Sequence, residues 1–221
     1  MAEKAVNKPG GLRAQAKADV TRRIREAAET LFMTRDFGDV TTREIAQQAG
    51  IGEATLFRYV ASKDELLTMI YGDQMQTLVD RLEAADDALA KLPLTVDRVL
   101  QRIYAFYEGR SEFFLLHPDN AARYLRQSYD LSSSGRERAM ALGDRVVTRV
   151  TTILEKGQRE GLVSDVVEAS LVALNCHGAF LHEVNRTRTR GFEPETIWER
   201  VLVRLDAQLL PLMRSEEAGE R

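Results

Sequence analysis

The sequence is poor in cysteine and contains no long apolar run. Cys176 is its single cysteine, which excludes an intramolecular disulfide framework and suits a reducing compartment. No apolar stretch approaches the roughly 20 residues that span a bilayer. Residues 1–17 lack the apolar region of a secretory signal. We therefore expect a cytoplasmic protein with no membrane partner.

The composition is that of an ordinary globular protein, which excludes disordered and collagen-like chains. Of its 221 residues, 44% are hydrophobic and 29% are charged, enough for one large domain or two small ones. The net charge of −3 hides an asymmetry, because residues 1–63 hold 11 Lys and Arg against 8 Asp and Glu, whereas the remainder holds 20 against 26. The basic excess of residues 1–63 either allows this segment to approach a polyanion or is a chance fluctuation of surface charge.

Apolar residues recur at helical spacing along almost the whole chain, and no segment alternates as a strand does. We therefore predict an all-α fold. Its predicted organisation is a flexible basic arm over 1–17, a three-helix domain over 18–66, a larger helical domain over 67–214 and a disordered tail over 215–221. The predicted helices include residues 53–59, 95–107, 111–116, 165–189 and 195–213.

Two short predicted helices lie close together near the N-terminus. Thr41 and Glu44 have the spacing of a capping box, with Val40 and Ile45 as its hydrophobic staple. Gly50 is suited to end this helix, and a second short helix follows almost at once. This is the outline of a helix-turn-helix, in which the first helix crosses the DNA backbone and the second enters the major groove.

Residues 41–67 resemble the DNA-binding signature of the tetracycline-repressor (TetR) family without a gap, and the resemblance extends over 18–70. The rest of the chain matches only in length and helical character. The resemblance implies a homodimeric transcriptional regulator, most simply a repressor that leaves a palindromic operator when a small-molecule effector binds. It implies no cofactor.

The resemblance also implies which residues contact DNA. Arg58 is suited to guanine, while Tyr59 and Lys63 match phosphate-binding positions. Glu53 departs from the common lysine, and either accepts from cytosine or complements the helix N-terminus. The expected DNA-binding residues are Thr41, Thr42, Arg43, Gly52, Glu53, Ala54, Thr55, Phe57, Arg58, Tyr59 and Lys63.

Further alternatives remain open for Thr41, Thr42, Arg43, Phe57 and the basic arm. The hydroxyl of Thr41 or Thr42 can meet a phosphate. Arg43 either binds phosphate or is a solvated surface residue, and Phe57 either contacts DNA or packs in the core. The arm, with basic residues at Lys4, Lys8, Arg13 and Lys17, either lies in a minor groove or is a solubilising tail.

The larger domain carries aromatic residues at helical spacing, which either form the core or line the effector pocket that the family encloses there. Polar groups within an apolar stripe are costly unless paired, so they meet either a ligand or a partner subunit. The acidic balance of this domain favours a neutral or cationic effector over an anionic one. The expected pocket residues are Tyr104, Tyr107, Phe113, Phe114, Tyr124, Asn175 and His177.

The last two predicted helices offer more apolar surface than one partner helix needs, and we expect them to form the dimer interface. A dimer also suits the function, because one short recognition helix reads few base pairs and two-fold symmetry doubles the contacts. The expected interface residues are Ala173, Phe180, Trp198, Val201, Leu202, Leu205 and Leu209.

Two other classes of function fit the sequence less well. An enzyme is disfavoured because there is no phosphate-binding loop and because His117, His177 and His182 lack metal-ligand spacing. A helical adaptor that binds only protein needs neither the basic first segment nor the turn-linked short helices. We therefore expect no catalytic residue and no metal.

Overall fold

The computed structural model describes residues 9–214, in which the regular structure is helical apart from one isolated bridge between Val163 and Met213. The predicted all-α fold is therefore confirmed. The chain divides into two compact units, Met1–Ile70 and Tyr71–Arg221. No helix in the described part is long and apolar enough to cross a bilayer.

The first unit contains α1 (Pro9–Phe32), α2 (Thr42–Gln48), α3 (Glu53–Leu56) and the start of α4 (Lys63–Leu89). Its core is a small apolar cluster supplied by every one of these helices. The buried side chains of the cluster include Ile24, Ala28, Phe32, Val40, Ile45, Leu56 and Leu66.

Helix α1 starts earlier than the sequence predicts, because residues 9–17 are helical and not part of an unstructured arm. Proline is well tolerated in the first turn of a helix, where its missing N–H is not needed. After Gly10 and Gly11, every residue of 12–17 is of a type that favours helix. Arg13 and Lys17 are exposed on this helix, while Lys4, Lys8 and the tail over 215–221 lie outside the described residues.

The second unit contains the rest of α4 together with α5 (Val96–Leu116), α6 (Pro118–Tyr129), α7 (Arg136–Arg159), α8 (Ala169–Arg190) and α9 (Ile197–Leu209). Helix α5 is continuous where two helices were predicted. Gly109 lies within it and allows α4 to pack closely, since a Cβ there would lie 3.0 Å from Leu82 Cδ2. Helix α8 begins at Ala169, later than predicted, and Asp165 pairs with Arg214 at 2.9 Å.

Buried ion pairs join helices of the second unit. Arg102 on α5 donates two hydrogen bonds to Asp86 on α4, at 2.6 and 3.0 Å. Glu183 on α8 accepts from Arg200 (3.0 Å) and Arg204 on α9. Each of these buried charges therefore has an opposite charge in contact, as burial of an ion requires.

Candidate nucleic-acid interface and ligand cavity

The predicted capping box forms at the start of α2. The Thr41 backbone N–H donates to Glu44 Oε2 (2.8 Å), and the Glu44 N–H donates to Thr41 Oγ1 (3.2 Å). Arg35 donates to the other carboxylate oxygen of Glu44 at 2.9 Å. The hydrogen bonds from Thr41, assisted by Arg35, lower the pKa of Glu44 to about 2. The Glu44 carboxylate therefore stays charged at neutral pH, and the capping box at the start of α2 is retained.

The turn between α2 and α3 depends on Gly50, whose φ is +67°. The Ile51 N–H donates to Ala46 O (3.0 Å) and the Gly50 N–H donates to Gln47 O (3.1 Å), which is the Schellman pattern. Arg23 on α1 donates to Ala49 O at 2.8 Å. A backbone motif and a side chain from α1 thus both hold this turn.

Helix α3 is shorter than predicted, ending at Leu56 instead of Tyr59. The chain continues as a turn in which the Arg58 N–H donates to Thr55 O (3.1 Å) and the Tyr59 N–H donates to Leu56 O (2.9 Å). Leu56 and Val60 are buried and anchor this segment. Phe57 between them is 49% exposed, so it lies outside the core.

Two arginines of the predicted DNA-binding set are exposed and unengaged. Arg43 on α2 and Arg58 after α3 form no ion pair or side-chain hydrogen bond with any residue of the described range 9–214. Two other arginines of this unit support the fold, because Arg23 donates to Ala49 O and Arg35 donates to Glu44. Arg43 and Arg58 therefore present complete guanidinium groups to solvent.

Two threonine hydroxyls of the predicted set bind carboxylates of the same unit. Thr42 Oγ1 donates to Glu53 Oε1 at 2.5 Å, which joins the starts of α2 and α3. The sequence analysis assigned Glu53 either to cytosine or to its own helix, and this third arrangement was missed because it joins residues of two helices. The Thr41 hydroxyl is engaged with Glu44 in the capping box (2.8 Å).

Lys63 is engaged inside the first unit. Its Nζ donates to the carbonyls of Phe37 and Val40, both at 2.6 Å, and lies 3.9 Å from the Phe37 ring centroid. Two of the three ammonium donors therefore tie the segment before α2 to the start of α4. The sequence contains no local signal for this contact.

A cavity of about 220 Å³ lies in the second unit, between α4, α5, α6, α7 and α8. Arg110, which is 7% exposed, lies deep within its lining, and the exposed side chains of Tyr129 and Met140 lie at its rim. Arg110 Nη1 lies 3.2 Å from His177 Nδ1. Among the described residues, no group of three or more His, Cys, Asp or Glu side chains converges on a metal-like site.

Residues 24–70 match the sequence profile of the bacterial regulatory proteins of the tetR family. This segment includes the capped helix, the Gly50 turn and the exposed arginines. Residues 24–70 therefore match the TetR family.

Similarity to known proteins extends beyond residues 24–70. The HTH-type transcriptional regulator Mb1846 of Mycobacterium bovis is 31% identical over 81 residues, which are 36% of this chain and only about a third (35%) of that relative. The nucleoid occlusion factor SlmA of Vibrio vulnificus is 28% identical over 177 residues, 77% of this chain and 85% of the relative. The solved TetR-family repressor FadR of Thermus thermophilus, in complex with lauroyl-CoA, superposes with a TM-score of 0.58 at 20% identity, covering 90% of this chain and 99% of that one. The fold is therefore that of TetR-family regulators.

Only part of the residues predicted for the ligand pocket line this cavity. Phe114, Tyr124 and His177 line it, but Tyr104 does not, because its hydroxyl donates to Asp206 Oδ1 at 2.5 Å. Asn175 is exposed, so its amide needs no ligand to satisfy it.

The remaining two predicted aromatic residues belong to the core. Tyr107 is fully buried with its ring 5.7 Å from that of Phe180, and Phe113 packs edge-on against Tyr71 at 5.6 Å. Sequence reasoning missed Arg110, although one signal was present. It follows Ile103 by two helical turns and so lies on the buried face of α5.

The predicted dimer residues are mostly inside the TetR-like second unit. Of the seven residues, Trp198 and Leu202 are half-buried, and the other five, Ala173, Phe180, Val201, Leu205 and Leu209, are fully buried against their own chain. The apolar stripe of α9 packs on α8 and α5 of the same molecule, so it is not a free surface. Other apolar side chains of this region are exposed, namely Leu171 and Leu174 on α8, Val203 on α9 and Leu210 directly after it.

Proposed function

We propose that the chain is a ligand-responsive transcriptional regulator that binds double-stranded DNA as a homodimer, represses at a palindromic operator and leaves it when a small-molecule effector binds. One observation carries the DNA-binding part. Arg43 and Arg58 are exposed on the helix-turn-helix and have no ion pair or side-chain hydrogen bond within the described residues, whereas Thr42, Glu53 and Lys63 are engaged inside the unit.

The proposed DNA surface assigns different roles to its members. Arg58 has the bidentate donors that recognise guanine, and the exposed Phe57 ring beside it supplies apolar contact. Arg43 contacts phosphate, which adds affinity without sequence preference. Gly52 and Ala54 are exposed and small, so the backbone of α3 can approach the base edges.

The effector part rests on the cavity and on similarity. FadR of Thermus thermophilus is a TetR-family repressor solved with lauroyl-CoA, which supports a ligand site in the larger unit of this fold. Helix α4 begins at Lys63 in the first unit and ends at Leu89 in the second. This helix is the covalent route by which a ligand can shift the DNA-binding unit. Such coupling is typically ~1–3 kcal/mol and is reciprocal.

The proposed dimer uses the outward faces of α8 and α9. Leu171, Leu174, Val203 and Leu210 are each at least half exposed, and Gly178 is exposed among them and permits close approach of a second helix. Clustered exposed apolar side chains mark interaction surfaces. A two-fold axis through this surface doubles the DNA contacts.

The DNA-binding proposal is tested by selecting sequences from random DNA and then comparing Arg58→Ala with the native protein by fluorescence anisotropy. Loss of a bidentate base contact should weaken selected DNA by ~1–3 kcal/mol and relax the preference at one base pair of each half-site. The control is Arg159→Ala, which removes the same charge from an exposed position on α7. Equal losses on selected and random DNA would contradict base reading by Arg58.

The dimer proposal is tested by Val203→Glu, which places a charge on an exposed apolar side chain without disturbing the core. We expect a shift to monomer in sedimentation with unchanged helical content. Val166→Glu, at an exposed valine before α8, is the matched control and should leave the dimer intact. A native protein that sediments as a monomer at micromolar concentration would refute the dimer.

A further inference from the structure

Arg110 differs from the other buried arginines of the second unit because it has no carboxylate partner within the described range. Arg102 is comparably buried but is bonded through two nitrogens to Asp86. The half-buried Arg200 likewise pairs with Glu183. A buried cation without an opposite charge is costly, and proteins retain such groups chiefly at binding and catalytic sites.

Most of the hydrogen-bond donors of Arg110 have no acceptor within the described residues. Of five N–H donors, Nη1 donates to His177 Nδ1 at 3.2 Å, while Nε is buried with no partner in the described part of the chain. The guanidinium carbon lies 4.4 Å from the Phe180 ring centroid, which stabilises the cation on one face but satisfies no donor. The remaining donors belong to a side chain that lines the cavity.

His177 adds a second donor to the same lining. Burial, with Arg110 beside it, lowers the pKa of His177 to about 3, so the ring is neutral at physiological pH. Because arginine only donates, Nδ1 of His177 accepts, and the ring proton lies on Nε2. A Cβ built on Gly143 would lie 3.2 Å from this Nε2, so the glycine lets the ring pack closely on α7.

The rest of the cavity is suited to an apolar body of modest size. Met75, Phe114, Leu142 and Leu181 are among its walls. Its volume of about 220 Å³ is below the ~300–1,000 Å³ of sites for drug-sized ligands. Asp144 also lines the cavity, but it is exposed and pairs with neither Arg110 nor His177, so it does not neutralise the buried cation.

We propose that this cavity binds a small organic acid, with its carboxylate on the Arg110 guanidinium and its aryl or short alkyl body against the apolar walls. This inference rests on the proposed role of the second unit as the effector domain. It replaces the expectation of a neutral or cationic effector, because the acidic excess of the domain is a bulk property, whereas the buried charge at the site is positive.

The test compares each acid with the amide of the same shape. Benzoate and benzamide, phenylacetate and phenylacetamide, and hexanoate and hexanamide are titrated into the full chain without DNA, by thermal shift and calorimetry. We expect at least one acid to raise the melting temperature and its amide to have no effect. The acid-specific shift should vanish in Arg110→Met. Absence of any acid-specific shift, or its persistence in Arg110→Met, overturns the proposal.

A second measurement needs no ligand. If Arg110 is retained for binding at a cost in stability, the ligand-free Arg110→Met protein should melt several degrees higher than the native protein. Arg102→Met is the control and should melt lower, because it leaves Asp86 buried without a partner. An Arg110→Met protein that melts lower than native indicates a structural role and overturns the proposal.

Binding of DNA by the native protein is measured separately, so the two proposals can fail independently. A chain that binds selected DNA but no acid refutes only the acid site. A chain that binds the acid through Arg110 but no DNA keeps this site and refutes the regulatory function.

Discussion

Replacing Gly50 with alanine should weaken the turn that joins the two short helices of the first unit. Gly50 has φ +67°, a conformation that costs an L-residue ~1–2 kcal/mol. The new Cβ would also lie 3.2 Å from Arg23 Nη1, which donates to Ala49 O at 2.8 Å. Displacing this partly exposed guanidinium costs a fraction of a charged hydrogen bond, so we expect a total loss of about 1–3 kcal/mol.

Urea unfolding followed by circular dichroism measures this loss, and two further variants separate its causes. Gly50→Asn should be milder than Gly50→Ala, because asparagine tolerates the left-handed region. In an Arg23→Ala background, Gly50→Ala should cost only the conformational part, since there is no guanidinium left to displace.

The matched control is Gly38→Ala, at a glycine without positive φ where a Cβ would contact nothing within 4 Å. It should change the unfolding free energy far less than Gly50→Ala. Equal effects of the two substitutions would refute the reasoning from the left-handed turn.

Two further predictions concern charged groups. The pKa of Glu44 is lowered from an ordinary value near 4.5 to about 2, so its contribution to stability is complete above pH ~4.5 and is lost as pH falls towards 2. The stability of Glu44→Gln, measured by urea unfolding, should therefore fall less steeply than native over that window, and parallel curves would contradict the assignment. Asp86→Asn should cost ~3–5 kcal/mol by breaking the buried pair with Arg102, whereas Asp87→Asn, at an exposed carboxylate beside it, should cost under ~1 kcal/mol. Similar losses in these two variants would mean that burial does not set the strength of the pair.

The features that the sequence alone determined are local ones. Thr41 and Glu44 are three residues apart, so their capping box depends only on the chain between them. Gly50 was recognised as a helix end for the same reason, because its left-handed conformation is a property of the residue itself. The overall helical fold follows from apolar spacing along each segment, which is again a short-range pattern.

The tertiary structure alone decided which partner each helix face and each charge meets. The stripe of α9 that contains Val201 and Leu205 has the same spacing whether it packs on its own chain or on a second subunit, and here it is buried within the molecule. Lys63 reaches carbonyls more than twenty residues away, at Phe37 and Val40, which no local pattern encodes.

Arg110 is the clearest example of a residue whose surroundings only the tertiary structure determines. Its position on the apolar face of α5 is visible in the sequence, but only packing reveals that Asp86 pairs with Arg102 while no carboxylate of the described residues reaches Arg110. The free energy of a buried charge depends on which groups surround it in space, and that arrangement is set by the packing of five helices.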